Sequence, residues 1–328
     1  MQFIRTIKNW LDANRVTQGP MEPASEMTEE LKIASELWSQ RAREQAEQIK
    51  PSSWTECPVV IEEYMNPLIS GNGKVGWLEA VARDYFPQPV ANALSLGCGG
   101  GGLERHGLQL GIARHFDAFD VSAGAIELAR GEAEKSNQAK NINYRVTNLN
   151  KLEFEHAYYD AAFASQSVHH IQALEHYMAQ VWRALKTGGL FIVNEFVGPN
   201  QFQWTDAQLS HAQRLLDQIP PALRHCIREP GVRHKVERPT IEFMNGFDPT
   251  EAIRSGEIVQ ELGRRFEIVE RRDFGGTLLH LVLDNIAGNL SESDTGKQLL
   301  RSFFAEERRL IASGEIGSDF TLIVARKV

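Results

Sequence analysis

Hydrophobic and polar positions change period many times between Val90 and Val193. Short apolar runs at 91–96, 115–121, 142–146, 161–164 and 190–193 read as strands. Between them, 103–113, 123–134 and 174–185 space their apolar residues three and four apart, which predicts helices. Lys186-Thr187-Gly188-Gly189 reads as the glycine stop of the last of these. Beyond 262, residues 266–269 and 320–325 predict two more strands, with helices at 278–286 and 296–312. Strands alternating with helices imply βαβ units. The expected fold class is therefore α/β: a Rossmann-like, doubly wound, mostly parallel seven-stranded sheet. The closing strand–helix–strand suits an appended antiparallel edge strand. N-terminal helices and a helical insert complete it.

The pattern divides the chain into five stretches. Residues 1–27 hold a short helix, with Phe3, Ile7, Trp10 and Leu11 at helical spacing, and a Pro- and Gly-containing linker. The helix is expected to dock on the body or on a second subunit; a membrane-surface anchor is the alternative. Residues 28–88 form a helical cap. Thr28 starts its first helix and 75–86 form another, stopped near Pro87. Residues 89–197 form the core, 198–262 a helical insert, and 263–328 the rest of the core sheet.

Composition narrows the function classes. The chain has 328 residues, 42 % of them hydrophobic, enough for a sizeable core. Its formal net charge is −8, so charge-driven nucleic-acid binding is not expected. Cys57, Cys98 and Cys226 are far apart and form no CxxC pair, so a reduced, cytoplasmic setting without a zinc or disulfide framework is expected. No apolar run reaches the roughly 20 residues of a membrane span, and no secretory signal is evident at the N-terminus.

The chemistry gathers first at Leu96-Gly97-Cys98-Gly99-Gly100-Gly101-Gly102, between a strand and a helix. Glycine there permits a tight turn and a close approach of backbone to ligand. Asp120 follows Gly102 by 18 residues, at the tip of the second strand. An acid in that position suits ribose hydroxyls. Its competing role, capping the next helix, fits Ser122 better. Gly97, Gly99 and Gly102 also satisfy the dinucleotide-binding pattern, so a nicotinamide-dependent oxidoreductase is weighed as an alternative.

Further segments decide between the two. Leu94-Ser95-Leu96-Gly97-Cys98-Gly99-Gly100-Gly101, Phe119-Asp120-Val121-Ser122, 146–152, 159–171 and 185–191 follow in order. Over 90–197, more weakly over 264–328, the chain resembles the class I S-adenosylmethionine-dependent methyltransferases of the small-molecule type. The resemblance implies S-adenosylmethionine as cofactor. It places the cofactor on Gly97, Cys98, Gly99, Gly101, Asp120, Val121, Asn148, Leu149, Ser165 and Gln166. Asn148 departs from the family, whose acidic residue there bonds the adenine amine; an amide oxygen can still accept.

Methyl transfer from a sulfonium needs mainly alignment and exclusion of water. Acceptor groups are expected beyond the strand ends. His169, His170 and Glu195 are the catalytic candidates, with His169 expected to face the pocket and a histidine or Glu195 able to act as base. Together they match no metal-ligand pattern, and no metal site is expected. In the insert, Trp204 can line an acceptor pocket. Arg233 and Arg238, within the basic run Arg224, His225, Arg228, Arg233, His234, Lys235 and Arg238, can grip an acceptor phosphate or carboxylate. Trp38 and Tyr64 are expected to close the cofactor pocket from the cap. The expected function is methyl transfer to a small-molecule or carbohydrate-like acceptor, at oxygen, by a chain that can form a homodimer. A non-catalytic S-adenosylmethionine-binding protein is the other alternative.

Overall fold

Continuous apolar runs become strands here because the sheet is covered on both faces. The structure, a computed structural model, describes residues 28–328 apart from 48, 49 and 155. The expected helix near 3–11 and the linker before 28 lie outside the described residues. The strands are β1 (Val90–Leu96), β2 (Ala113–Asp120), β3 (Ile142–Val146), β4 (Tyr159–Ser165), β5 (Leu185–Phe196), β6 (Glu267–Gly275) and β7 (Phe320–Arg326). They form one seven-stranded sheet in the order β3-β2-β1-β4-β5-β7-β6.

β1 to β5 pair in parallel, and β7 runs antiparallel to both of its neighbours, β5 and β6. The antiparallel last strand is as expected, but its position is not. β7 sits inside the sheet and is buried along all but its last residue, while β6 forms the edge. A hairpin-like return of β7 between β5 and β6 hides the apolar run Phe320–Ala325 from water. β6 takes the edge with Glu267, Glu270, Arg271 and Arg272, charged side chains that suit an edge strand.

The main helices are α1 (Glu29–Glu47), α2 (Trp77–Tyr85), α3 (Gly102–Gln109), α4 (Ala123–Lys135), α5 (Leu174–Ala184), α6 (Asp206–Gln218), α7 (Ile241–Phe247), α8 (Ile258–Gly263), α9 (Thr277–Leu283) and α10 (Asp294–Ala312). α5 and α8 cover one face of the sheet, packing Tyr177, Met178, Val181 and Leu262 on Phe119, Phe191 and Ile323. α2, α4, α9 and α10 belong to the core of the other face, with Phe116, Phe163 and Ile192. Ser122 caps α4 by accepting from the Ala125 amide at 3.1 Å, as its position predicts.

Two local expectations change. α5 ends at Ala184, and the strand already starts at Leu185. Lys186 to Gly189 bulge out opposite Asp160, where Gly188 takes φ 79° and Lys186 pairs with Asp160 at 2.5 Å. Tyr64, expected at the cofactor pocket, is fully buried instead. Its hydroxyl donates to Glu307 at 2.5 Å and its ring stacks on Phe304.

Glu104, in the first turn of α3, is fully buried beneath the glycine turn and accepts a hydrogen bond from Ser95; its Oε2 has no partner among the described residues. Burial raises its pKa to about 7, against the opposing Ser95 bond. The folded state therefore favours the protonated acid. The resulting destabilisation is small near pH 4, grows as pH rises from the unfolded value to about 7, and levels off above that. Glu104→Gln removes the proton from the balance. Its stability relative to the parent chain should rise by about 2 kcal/mol between pH 5 and pH 8, measured by urea unfolding at both pH values. A difference that stays flat with pH would show that Glu104 is ionised in the fold.

Candidate functional site

The chain must turn sharply after β1, and two glycines make that turn possible. Gly97 has φ 76°, and a Cβ there would lie 2.2 Å from the Ser167 Cβ. Gly101 has φ 74°, and a Cβ there would meet the Tyr144 hydroxyl at 2.3 Å. The amides of Gly97 and Cys98 donate to Phe119 O at 2.7 and 3.1 Å, which ties the turn to β2. Asp120 closes the same corner. Its carboxylate accepts from Gly99 N and Ser122 N, both at 2.8 Å. Burial raises the Asp120 pKa, and those two amide bonds oppose the rise.

A cavity of about 260 Å³ opens here, over the carboxyl ends of the parallel strands. Its floor is Gly97, Cys98, Gly99, Gly100, Asp120 and Val121, with Leu149 and Asn150 from the loop after β3. Ser165, Gln166, Ser167, His170 and Ile171 form the wall beyond β4. Leu31, Ala34 and Trp38 of α1 form the roof, and Thr250 comes from the insert. α1 is fastened by Ser35 Oγ donating to Val121 O at 3.1 Å and by the 2.8 Å contact of the Ser39 and Ser122 hydroxyls. Trp38 Nε1 donates to Asp248 at 3.3 Å, so roof and insert meet.

Of the residues singled out in the sequence, the cavity brings together Gly97, Cys98, Gly99, Asp120, Val121, Leu149, Ser165 and Gln166. Gly101 lies behind the turn against Tyr144, shaping it without lining it. Asn148 also stays outside. It is buried, and its side-chain oxygen accepts from Asn150 N at 3.0 Å, capping a short turn that presents Leu149 and Asn150 instead. Gln166 adopts φ 52°, unusual for a side chain of its size, and is held by two bonds to Asn194 O.

The two histidines divide their roles opposite to expectation. His170, not His169, lines the cavity. His169 turns inward, its Nδ1 2.5 Å from Glu195 Oε1 and its Nε2 3.5 Å from Glu251. Burial works against a charge on His169, but the Glu195 carboxylate outweighs it, and the pKa is raised to about 9. On His170, burial and then the His169 charge lower the pKa, so its imidazole is neutral. His170 Nδ1 lies 3.0 Å from Thr250 Oγ1, whose own proton goes to Asp248 Oδ1 at 2.7 Å. That order of donors fixes the proton of His170 on Nδ1. Its Nε2 is buried and has no hydrogen-bond partner among the described residues.

Glu195 does not face an acceptor. It is fully buried and accepts from the amides of Ser167, Val168 and Phe196 at 2.7–2.8 Å besides the His169 contact. Its lone pairs are taken up in holding the loop after β4. The three insert residues also turn away from the cavity. Trp204 is buried, stacks on Phe202 and donates to Asp319 at 3.0 Å. Arg238 binds Trp204 O and Asp206. Arg233 binds the carbonyls of Leu281 and Asp284 and the Asp284 carboxylate. These arginines satisfy backbone oxygens within the fold, so a grip on an acceptor anion is not what the geometry offers. Thr250, Asp248, Glu251 and Asn150 are the neighbours that sequence reasoning missed. Only the helix-breaking Asp-Pro-Thr at 248–250 hinted at a special loop there.

Comparison with known proteins points in one direction. Residues 94–193 match the family model described as a methyltransferase domain. The chain is 32 % identical over 130 residues to a ubiquinone biosynthesis O-methyltransferase of Methylocella silvestris, covering 39 % of this chain and 48 % of that protein. It is 26 % identical over 148 residues to a sterol 24-C-methyltransferase of Candida albicans, covering 43 % of this chain and 38 % of that one. The chain thus spans about half the length, or less, of these curated relatives. Among solved structures it is similar to the geranyl diphosphate C-methyltransferase of Streptomyces coelicolor, with a TM-score of 0.55 and 13 % identity. That match covers 93 % of this chain and all of that one. At such identity the likeness is one of fold.

Arg233 provides a test of its reassignment. Arg233→Ala leaves two carbonyls and Asp284 without their donor, and should lower unfolding stability by about 2 kcal/mol with no loss of ligand affinity at the cavity. An intact stability with altered acceptor KM would return Arg233 to the acceptor site.

Proposed function

We propose that this member of the class I S-adenosylmethionine-dependent methyltransferases transfers the methyl group of S-adenosylmethionine to an oxygen of a small-molecule or carbohydrate-like acceptor. The single observation that carries the reading is the cavity itself. It joins the Gly97–Gly100 backbone, the anchored Asp120 carboxylate and the His170 wall under one roof. The ribose hydroxyls donate to Asp120, whose two amide bonds fix both carboxylate oxygens in place. The glycine turn receives the methionine portion, where only backbone leaves room. Leu149 and Asn150 flank the adenine, the part given to Asn148 on sequence.

The sulfonium then points its methyl toward Gln166 and His170. An acceptor oxygen attacks the methyl carbon in line with the carbon–sulfur bond, and the bonding pair leaves with sulfur. Sulfur is a good leaving group, so the protein acts by alignment and by excluding water. Trp38, Leu31 and Ala34 supply the dry lid. The insert at 198–262 closes the acceptor side through Asp248 and Thr250. Glu195 and His169 hold the wall without meeting substrate. The preference for oxygen is supported by the O-methyltransferase among the relatives and by the bare imidazole nitrogen of His170.

Ligand-dependent thermal shift tests the cofactor, because a ligand of the native state raises apparent stability by mass action. S-adenosylhomocysteine should stabilise the chain and NAD should not. Asp120→Ala should weaken S-adenosylhomocysteine by about 10- to 100-fold. Stabilisation by NAD alone, or an Asp120→Ala chain with unaltered affinity, would overturn the reading.

A further inference from the structure

Three side chains meet beside the cofactor cavity with their ligating atoms turned toward one another. His169 and His170 come from the turn after β4, and Glu251 comes from the insert. One nitrogen of each histidine and one Glu251 oxygen lie within 4.8 Å of one another. His169 Nε2 is 3.5 Å from Glu251 Oε1. Neither adjacent histidines nor Glu195 suggest such a group in the sequence. The third member is far along the chain, and Glu195 serves behind it.

From this geometry we propose that His169, His170 and Glu251 form a binding site for one divalent transition-metal ion, on the acceptor side of the cofactor cavity. The outer contacts suit such an ion as much as the three ligands do. His169 Nδ1 is held by Glu195, and His170 Nδ1 by Thr250, itself bound to Asp248. Metal-bound histidines are oriented in this way, the far nitrogen being tied to a carboxylate or hydroxyl so that the near one presents its lone pair. A buried imidazole nitrogen with no hydrogen-bond partner is costly unless something occupies it. Among the described residues, His170 Nε2 is such an atom. An ion would take the place of the proton between His169 and Glu251, releasing it to solvent. Ligand bonds of about 2.1 Å set tetrahedral ligand atoms about 3.4 Å apart, close to the 3.5 Å already separating His169 Nε2 from Glu251 Oε1.

Two imidazoles and one carboxylate select ions of the zinc, iron and cobalt kind over magnesium or calcium, which prefer all-oxygen shells. Three protein ligands leave positions open on the ion. The acceptor class that fits is a small molecule with two neighbouring oxygens, a hydroxyl beside a second hydroxyl or a carbonyl, able to chelate. Binding to the ion lowers the hydroxyl pKa, and the proton leaves to water. The oxygen then attacks the methyl carbon, the carbon–sulfur pair goes to sulfur, and a neutral thioether results. This deepens the proposed function and rests on it for the acceptor, but not for the ion.

Metal-stripped full-length chain, titrated with Co2+ and followed by visible absorption and calorimetry, tests the site. S-adenosylhomocysteine affinity is measured on the same samples. The expected result is one ion per chain, bound at least about 10-fold more weakly by Glu251→Gln and by His170→Gln. The Glu251→Gln chain should keep its S-adenosylhomocysteine affinity, which shows that it folds. No saturable cobalt binding, or equal affinity in both variants, would overturn the proposal. Cobalt binding that obeys these variants in a chain that ignores S-adenosylhomocysteine would uphold the ion site and refute the cofactor reading instead.

Discussion

The Glu195 carboxylate, buried at the end of β5, holds the site together. Its four contacts reach Ser167 N, Val168 N, Phe196 N and His169. A carboxylate taken fully from water needs such compensation, since its desolvation otherwise costs several kcal/mol. In return it dictates the path of the loop after β4. Ser167 then donates to Leu96 O at 2.7 Å, and its Cβ occupies the space a side chain at position 97 would need. The glycine turn and the histidine wall are thus shaped by the same buried charge. One consequence is that His169 faces inward and its neighbour faces the cavity.

A second carboxylate ties parts of the chain that are remote in sequence. Asp248 accepts from Trp38 in the roof and from the amide and hydroxyl of Thr250 in the insert. Asp248 is itself fully buried. Ser35 and Ser39 of the roof helix α1 hydrogen-bond the core at Val121 and Ser122. Asp248 therefore couples roof and insert, and both border His170 through Trp38 and Thr250.

Much of the fold was legible because the strands of a doubly covered sheet are apolar without interruption. Residues 142–146 were read to the residue, and most other boundaries fell within a few positions. Asp120 was legible from its distance to the glycines, since a βαβ unit fixes that spacing. The order of β7 and β6 was not legible, because local periodicity says nothing about which strand pairs with which. The choice between His169 and His170 was equally out of reach, as it depends on the buried partner Glu195. Arg233 and Arg238 looked like a surface grip because their partners are mostly backbone carbonyls, which leave no mark in a sequence. Asn148 and Asn150 differ only in which one caps the turn and which one faces the cavity. Glu251 carries no local signal at all.

The most direct test of the central claim is a crystal structure of the chain with S-adenosylhomocysteine. The ligand is expected beneath α1, its ribose hydroxyls on the Asp120 carboxylate and its adenine beside Leu149 and Asn150. The homocysteine sulfur should point toward Gln166 and His170, with the Glu195–His169 contact unbroken behind them. A ligand seated elsewhere, or one in this cavity with its ribose away from Asp120, would contradict it.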